Sequence, residues 1–134
     1  MINIKRYLTN RLNDVSAFFT KAYVENTKLS IGVNKSEERN PKIIASLTSY
    51  PARFDILSVT IKSILLQSMK ADKVILWLGS DSKNAELPGN IVELKKYGLE
   101  IRLVDDNIMP HKKYFYAMQE FPNDIIITFD DDVV

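Results

Sequence analysis

The sequence predicts an α/β fold, a mostly parallel sheet with helices on both faces. Three observations point there. Short, continuously apolar runs alternate with longer segments of helical periodicity. The short runs lack polar–apolar alternation, as expected of strands buried on both faces. Each run is followed by a polar cluster, as in βαβ crossovers whose ligands gather outside the carboxyl ends of the strands.

The first unit is residues 1–31. Ile4, Leu8, Leu12, Val15, Phe18, Phe19 and Tyr23 recur at the spacing of an amphipathic helix, with Lys5, Arg6 and Arg11 on its polar side. Such a helix can lie on a membrane surface or a partner, or it can pack on its own domain or on sequence beyond this chain. Residues 32–41, "GVNKSEERNP", are polar and end in proline, which predicts a linker.

An α/β domain is expected over 42–134. "KIIASLT" (42–48) reads as a first strand. "DILSVTIKSILLQSM" (55–69) places Leu57, Ile61, Ile64 and Leu65 on one helical face, with Asp55 as N-cap. "KVILWL" (73–78) is a second strand, closed by Gly79. "NIVELKKYG" (90–98) predicts a short helix with a capping box of Asn90 and Glu93 and a glycine stop at Gly98. "LEIRLV" (99–104) is a third strand, "HKKYFYAMQEF" (111–121) a helix, and "DIIITF" (124–129) a fourth strand. Trp77 is expected in the core and His111 on the surface.

Composition narrows the function classes. With 18 basic against 17 acidic residues the chain lacks the basic excess of a dedicated nucleic-acid binder, so no nucleic-acid partner is expected. There is no cysteine, hence no disulfide framework and no cysteine-based zinc site. No stretch reaches the roughly 18 uninterrupted apolar residues of a membrane span. A cytoplasmic location is expected, at the inner face of the membrane if the N-terminal helix docks there.

The polar clusters "TSYPAR" (48–53), "GSDSKN" (79–84), "DDNIMPHKK" (105–113) and "DDD" (130–132) each follow a strand and should share one edge of the sheet. A strand order of 3-2-1-4 puts the switch point between the first and fourth strands, with Ser49 and Tyr50 opposite Asp130, Asp131 and Asp132. Alternation along an extended chain points Asp130 and Asp132 one way and Asp131 the other. Crowded carboxylates repel unless a cation joins them. Oxygen ligands suit Mg²⁺ or Mn²⁺, ions that keep waters and bind substrate phosphates. The triplet therefore reads as a half-built metal site, with Asp130 and Asp132 as ligands, that a diphosphate completes. A solvated acidic turn is the plain alternative. A lysine opening the 111–121 helix could hold phosphate at the helix N-terminus, and since two neighbours cannot both face the ligand, Lys112 is preferred over Lys113.

"KIIASLTSYPARF", "TIKSILLQS", "DKVILWLGSD" and "IIITFDDDVV" together resemble the donor-binding half of bacterial glycosyltransferases of the GT-A fold, family 2-like, of the capsule and lipopolysaccharide type. The resemblance covers residues 42–134 and implies a Rossmann-like nucleotide-sugar-binding half. It matches the family's Asp-x-Asp motif to Asp130, Asp131 and Asp132, which would hold a divalent cation bridging the diphosphate of a nucleotide sugar, one of them also touching ribose. It maps the nucleotide-cradling loop onto Thr48, Ser49, Tyr50 and Arg53, and base contacts onto Asp81 and onto Asp105 or Asp106. The implied reaction is displacement of a nucleoside diphosphate by the hydroxyl of a saccharide or lipid-linked acceptor. The family continues beyond this motif and supplies its catalytic base there. The chain is therefore expected to be a fragment, unable to turn over by itself. One rival is a haloacid dehalogenase-type phosphatase using "DDDVV", with Asp130 as nucleophile and Asp132 as acid/base. The other is a catalytically inactive nucleotide-binding remnant.

Overall fold

The computed structural model describes residues 4–105 and 108–132, with the side chains at 4–8, 10, 11 and 109 left out. The side chains of Ile4, Lys5, Arg6, Leu8 and Arg11 therefore lie outside what is described, and Asp106 lies outside the described residues. The element order is α1 (Ile4–Asn26), β1 (Ile43–Thr48), α2 (Phe54–Leu66), β2 (Lys73–Leu78), α3 (Gly89–Glu93), β3 (Leu99–Leu103), α4 (Lys112–Glu120) and β4 (Ile125–Phe129). Short 3₁₀ turns precede α2 and α4 and follow β2 and α3. The four strands form one sheet in the order β3-β2-β1-β4, with every pairing parallel. That is the expected order, and it sets the reversal between β1 and β4.

Side-chain alternation along the strands divides the core into two layers. On one face Ala45, Leu47, Val74, Leu76, Leu78 and Leu99 meet Leu57, Ile61, Ile64 and Leu65 of α2 and Ile91 and Leu94 at α3. On the other, Ile44, Ile75 and Trp77 meet Ala117 of α4, with Tyr116 and Ile126 packed against them. Burying each such Leu or Ile contributes about 1.5–3 kcal/mol. Burial on both faces holds for β1 and β2 only. Ile125 and Ile127 of β4 remain 47% and 43% exposed, and Leu103 of β3 is exposed as well. Both strands are sheet edges; Ile126 of β4 packs into the layer beneath α4, whereas Ile125 and Ile127 point to the opposite face.

Three local expectations are corrected. Asp55 is not the cap of α2; the helix starts at Phe54 after the Pro51–Arg53 turn, and Asp55 lies inside its first turn. There its charge still complements the helix dipole. No capping box forms at α3. Pro88 is the cap residue, its carbonyl accepting from the N–H groups of Ile91 and Val92. The Asn90 amide instead donates to Ser58 Oγ at 3.0 Å, and Glu93 pairs with Lys96. Residues 32–41 are not a free linker either. Val33 is buried in the core and the Asn34 N–H donates to the Ala71 carbonyl at 2.8 Å.

α1 lies beside α2. Asn13, Ser16, Ala17 and Thr20 border a cavity shared with Ile56, Val59 and Thr60. Val24 is buried and Lys62 Nζ reaches the Glu25 carbonyl at 2.7 Å. Leu12, Val15, Phe18, Phe19 and Tyr23 are all exposed. These apolar residues therefore do not pack on their own domain. No helix among the described residues is long and apolar enough to cross a membrane.

Gly98 stops the α3 segment as expected, at φ +107°. A methyl group there would sit 2.5 Å from Val33 Cγ2. Gly98→Ala is expected to lower unfolding free energy by about 1–3 kcal/mol, combining left-handed strain with the displaced valine. Urea denaturation checks this, and an unchanged midpoint contradicts it.

Asp72 pins the start of β1. Its carboxylate accepts from the Ile43 N–H at 2.8 Å and the Asn34 amide at 2.6 Å, with Arg39 at 3.6 Å. Burial pushes its pKa up, but these donors together outweigh burial and hold it below the ordinary 3.8. A depressed folded pKa gives stability that is present above the unfolded pKa and lost as pH falls through the folded one. Asp72→Asn is therefore expected to flatten the fall in stability between about pH 5 and pH 1. Parallel acid titrations of the two proteins, followed by circular dichroism, measure this.

Candidate nucleotide and metal site

The carboxyl ends of the strands meet at a cavity of about 270 Å³. From β1 and its loop it is lined by Thr48, Ser49 and Tyr50, and from the end of β4 by Asp130 and Asp131. Asp81, Pro110, Lys112 and Lys113 close the remaining side. Seven of the residues expected to bind nucleotide thus share one space: Thr48, Ser49, Tyr50, Asp81, Lys112, Asp130 and Asp131. Arg53 adjoins it through Asp131. Asp105 is exposed and does not line the cavity.

The loop after β1 aims its side chains through a short, sterically determined turn. Tyr50 is extended, as a residue before proline prefers, and Pro51 opens a 3₁₀ turn closed by the Arg53 N–H on the Tyr50 carbonyl at 2.9 Å. Arg53 comes back toward β4. Its Nη1 meets Asp131 Oδ1 at 3.0 Å and Asp132 Oδ2 at 2.8 Å, while its Nε donates to the Tyr50 hydroxyl at 3.1 Å. Ser49, almost fully buried, donates to Asp131 Oδ2 at 2.7 Å. Thr48 Oγ1 donates to the Trp77 carbonyl at 2.7 Å, so its hydroxyl ties β1 to β2.

The expectation that Asp130 and Asp132 point the same way is corrected. β4 ends at Phe129 and residues 131–132 turn, so strand alternation does not extend to the triplet. Asp130 pairs with Lys113, while Asp131 and Asp132 share Arg53. The Arg53 hydrogen bond is the main cause holding Asp132 below the usual carboxylate range, and Asp132 in turn is the main cause raising Arg53. Among the described residues no group of three or more His, Cys, Asp or Glu is arranged to hold a metal ion. The donor chemistry nonetheless fits a hard cation. Asp130 and Asp132 present carboxylate oxygens with side chains 67% and 51% exposed. One or two carboxylates plus substrate phosphates is the usual environment of Mg²⁺.

Lys112 is 2% exposed; burial lowers its pKa and the charge of Asp81 opposes that shift. Lys112 and Lys113 both line the cavity. The start of α4, rather than its flank, faces this space, so adjacent residues can reach it together. Two further contributors escaped the sequence reading. Thr60, buried within α2, donates from Oγ1 to the Asp131 carbonyl at 2.9 Å. A hydroxyl between Leu57 and Ile61 was the available signal. Ser46, fully buried in β1, donates to the Lys113 carbonyl and accepts from Trp77 Nε1 at 2.9 Å. Tyr116 stacks on Trp77, with ring centroids 5.5 Å apart. These contacts fix the first turn of α4 to the sheet. His111 is exposed and shares a hydrogen bond with the Tyr114 hydroxyl.

Compared with protein-family models, with curated proteins and with solved structures, the chain matches none.

Ser46→Ala leaves the Trp77 N–H and the Lys113 carbonyl without their shared partner. A loss of about 1–3 kcal/mol of stability is expected. Trp77 is the sole tryptophan, so its fluorescence reports both unfolding and any change around the indole. Unchanged stability and emission would show that the serine bridge does not hold α4.

Proposed function

We propose that this chain is the nucleotide-sugar-binding part of a GT-A-type glycosyltransferase, taking a nucleoside diphosphate sugar as donor with Mn²⁺ or Mg²⁺. The observation that carries the reading is the convergence, at the reversal of strand order, of the loop after β1 with Asp130 and Asp131 after β4 around one cavity, Asp132 being joined to Asp131 through Arg53. That is where open parallel sheets bind nucleotides. The reading also draws on the sequence resemblance over residues 42–134.

In this reading the 48–53 loop and Asp81 hold the nucleoside, and Lys112 supplies positive charge to the diphosphate. Asp130 and Asp132 would hold the divalent ion. When bound, such an ion supplies Lewis-acid stabilisation of the departing diphosphate. Ser49 and Thr60 keep Asp131 in place, which sets the backbone from which Asp130 enters the cavity and Asp132 reaches Arg53. Binding of the nucleotide away from the reacting carbon positions the sugar for attack by an acceptor hydroxyl. The bare apolar stripe of α1 is assigned to a membrane surface or a partner near a saccharide or lipid-linked acceptor.

Calorimetric titration with UDP and other nucleoside diphosphates, with and without Mn²⁺, tests the proposal. Metal-dependent binding that is lost, by roughly tenfold or more, in Asp132→Ala is expected. Absence of binding in every condition would leave a nucleotide-binding remnant, and a trapped aspartyl phosphate would favour the phosphatase.

A further inference from the structure

Lys113 has no assigned part in the site as described so far, yet its placement is unusually well determined. Its carbonyl is held by Ser46, which is itself held by Trp77. The backbone position is therefore set by the sheet and not by the side chain's own ion pair. Its side chain is 18% exposed, lines the cavity and contacts Asp130. Arg53 occupies the other side of the triplet and spans Asp131 and Asp132. The three carboxylates are thus met by two side-chain cations approaching from different elements.

A divalent ion taking Asp130 and Asp132 competes with those cations for the same carboxylate oxygens. Arg53 keeps a hold on Asp131 and on the Tyr50 hydroxyl when Asp132 is withdrawn. Among the described residues the Lys113 ammonium is hydrogen-bonded to Asp130, and its charge also reaches Asp132. Once Asp130 turns to the ion, that ammonium is left facing a cavity whose proposed occupant carries phosphates.

We infer that Lys113 is a phosphate-positioning residue, parked on Asp130 until a divalent ion displaces it onto the donor's diphosphate. The inference rests on the nucleotide-sugar reading and adds a coupling to it. Ion binding releases the lysine, the lysine binds the phosphate, and each ligand therefore favours the other by the same factor. Without Lys113 the ion has one competitor fewer and the diphosphate one donor fewer. The two affinities should then move in opposite directions, which a merely structural role would not produce.

The experiment is calorimetry with Mn²⁺ alone, UDP alone and UDP in saturating Mn²⁺, on the whole chain and on Lys113→Gln and Lys113→Arg. Thermal unfolding of each variant is followed beside it. In Lys113→Gln, Mn²⁺ alone should bind several-fold tighter, while UDP in Mn²⁺ should bind roughly tenfold weaker. Lys113→Arg should restore most of the UDP affinity. A parallel loss of both affinities, or UDP affinity unchanged in Lys113→Gln, overturns the inference while leaving the nucleotide-sugar reading standing. If the unaltered chain binds UDP in no condition, that reading falls and the inference falls with it. Should Lys113→Gln unfold, the arginine variant decides: retained UDP affinity with Mn²⁺ affinity near that of the unaltered chain supports the role, and lost UDP affinity in a folded protein contradicts it.

Discussion

Neutralisation of three adjacent carboxylates at the tip of one strand is the constraint on which the site depends. Asp130, Asp131 and Asp132 cannot be brought together without opposing charge, and the fold supplies it from two separate connections. Arg53 comes from the turn between β1 and α2, and Lys113 from the first turn of α4. Exposed ion pairs contribute little stability one at a time. Their importance here is positional, since they join β4 to the two connections that flank β1. Asp131 is the anchored member. Its side chain is 13% exposed and accepts from Ser49 and Arg53, while its carbonyl accepts from Thr60. Asp130 and Asp132, more exposed and each held by one side-chain cation, are the members free to take another.

The sheet order gives this arrangement its location. With β1 between β2 and β4, the loop leaving β1 stands beside the end of β4, where Ser49 and Arg53 both reach Asp131. The crevice between them opens at the carboxyl ends, where α4 also begins. Ser46 and Thr48 sit two residues apart on β1 and both bond to Trp77, one at its indole and one at its carbonyl. The buried strand pair is thus continuous with the cavity rim, and the core layer beneath α4 doubles as the support for Lys113.

Much of this was legible in the sequence, and the reasons for the exceptions are local. Buried parallel strands are short apolar runs, so 42–48, 73–78, 99–104 and 124–129 could be bounded to within a residue of β1 to β4. The parallel order followed from the intervening helices. Periodicity does not report which neighbour covers a face. Hence α1 was readable as a helix, but not that Ser16, Ala17 and Thr20 would border a cavity with α2 while Phe18 and Phe19 stayed bare. Residues 32–41 looked like a linker because their polarity concealed one anchoring contact, Val33 in the core. Alternation failed at Asp130 to Asp132 because it is a property of strands, and the strand had ended at Phe129. The sequence did not show that Lys113 lines the cavity together with Lys112.

The central claim is that the acidic triplet exchanges its side-chain cations for a divalent ion and the phosphates of a nucleotide. A crystal structure of the chain grown with Mn²⁺ and UDP, with an anomalous difference map locating the metal, tests it most directly. The account predicts manganese at Asp130 and Asp132, the diphosphate against it in the cavity beside the 48–53 loop, and Lys113 turned from Asp130 to a phosphate oxygen. Manganese and nucleotide bound elsewhere, with Asp130 still on Lys113 and Asp132 still on Arg53, would contradict it.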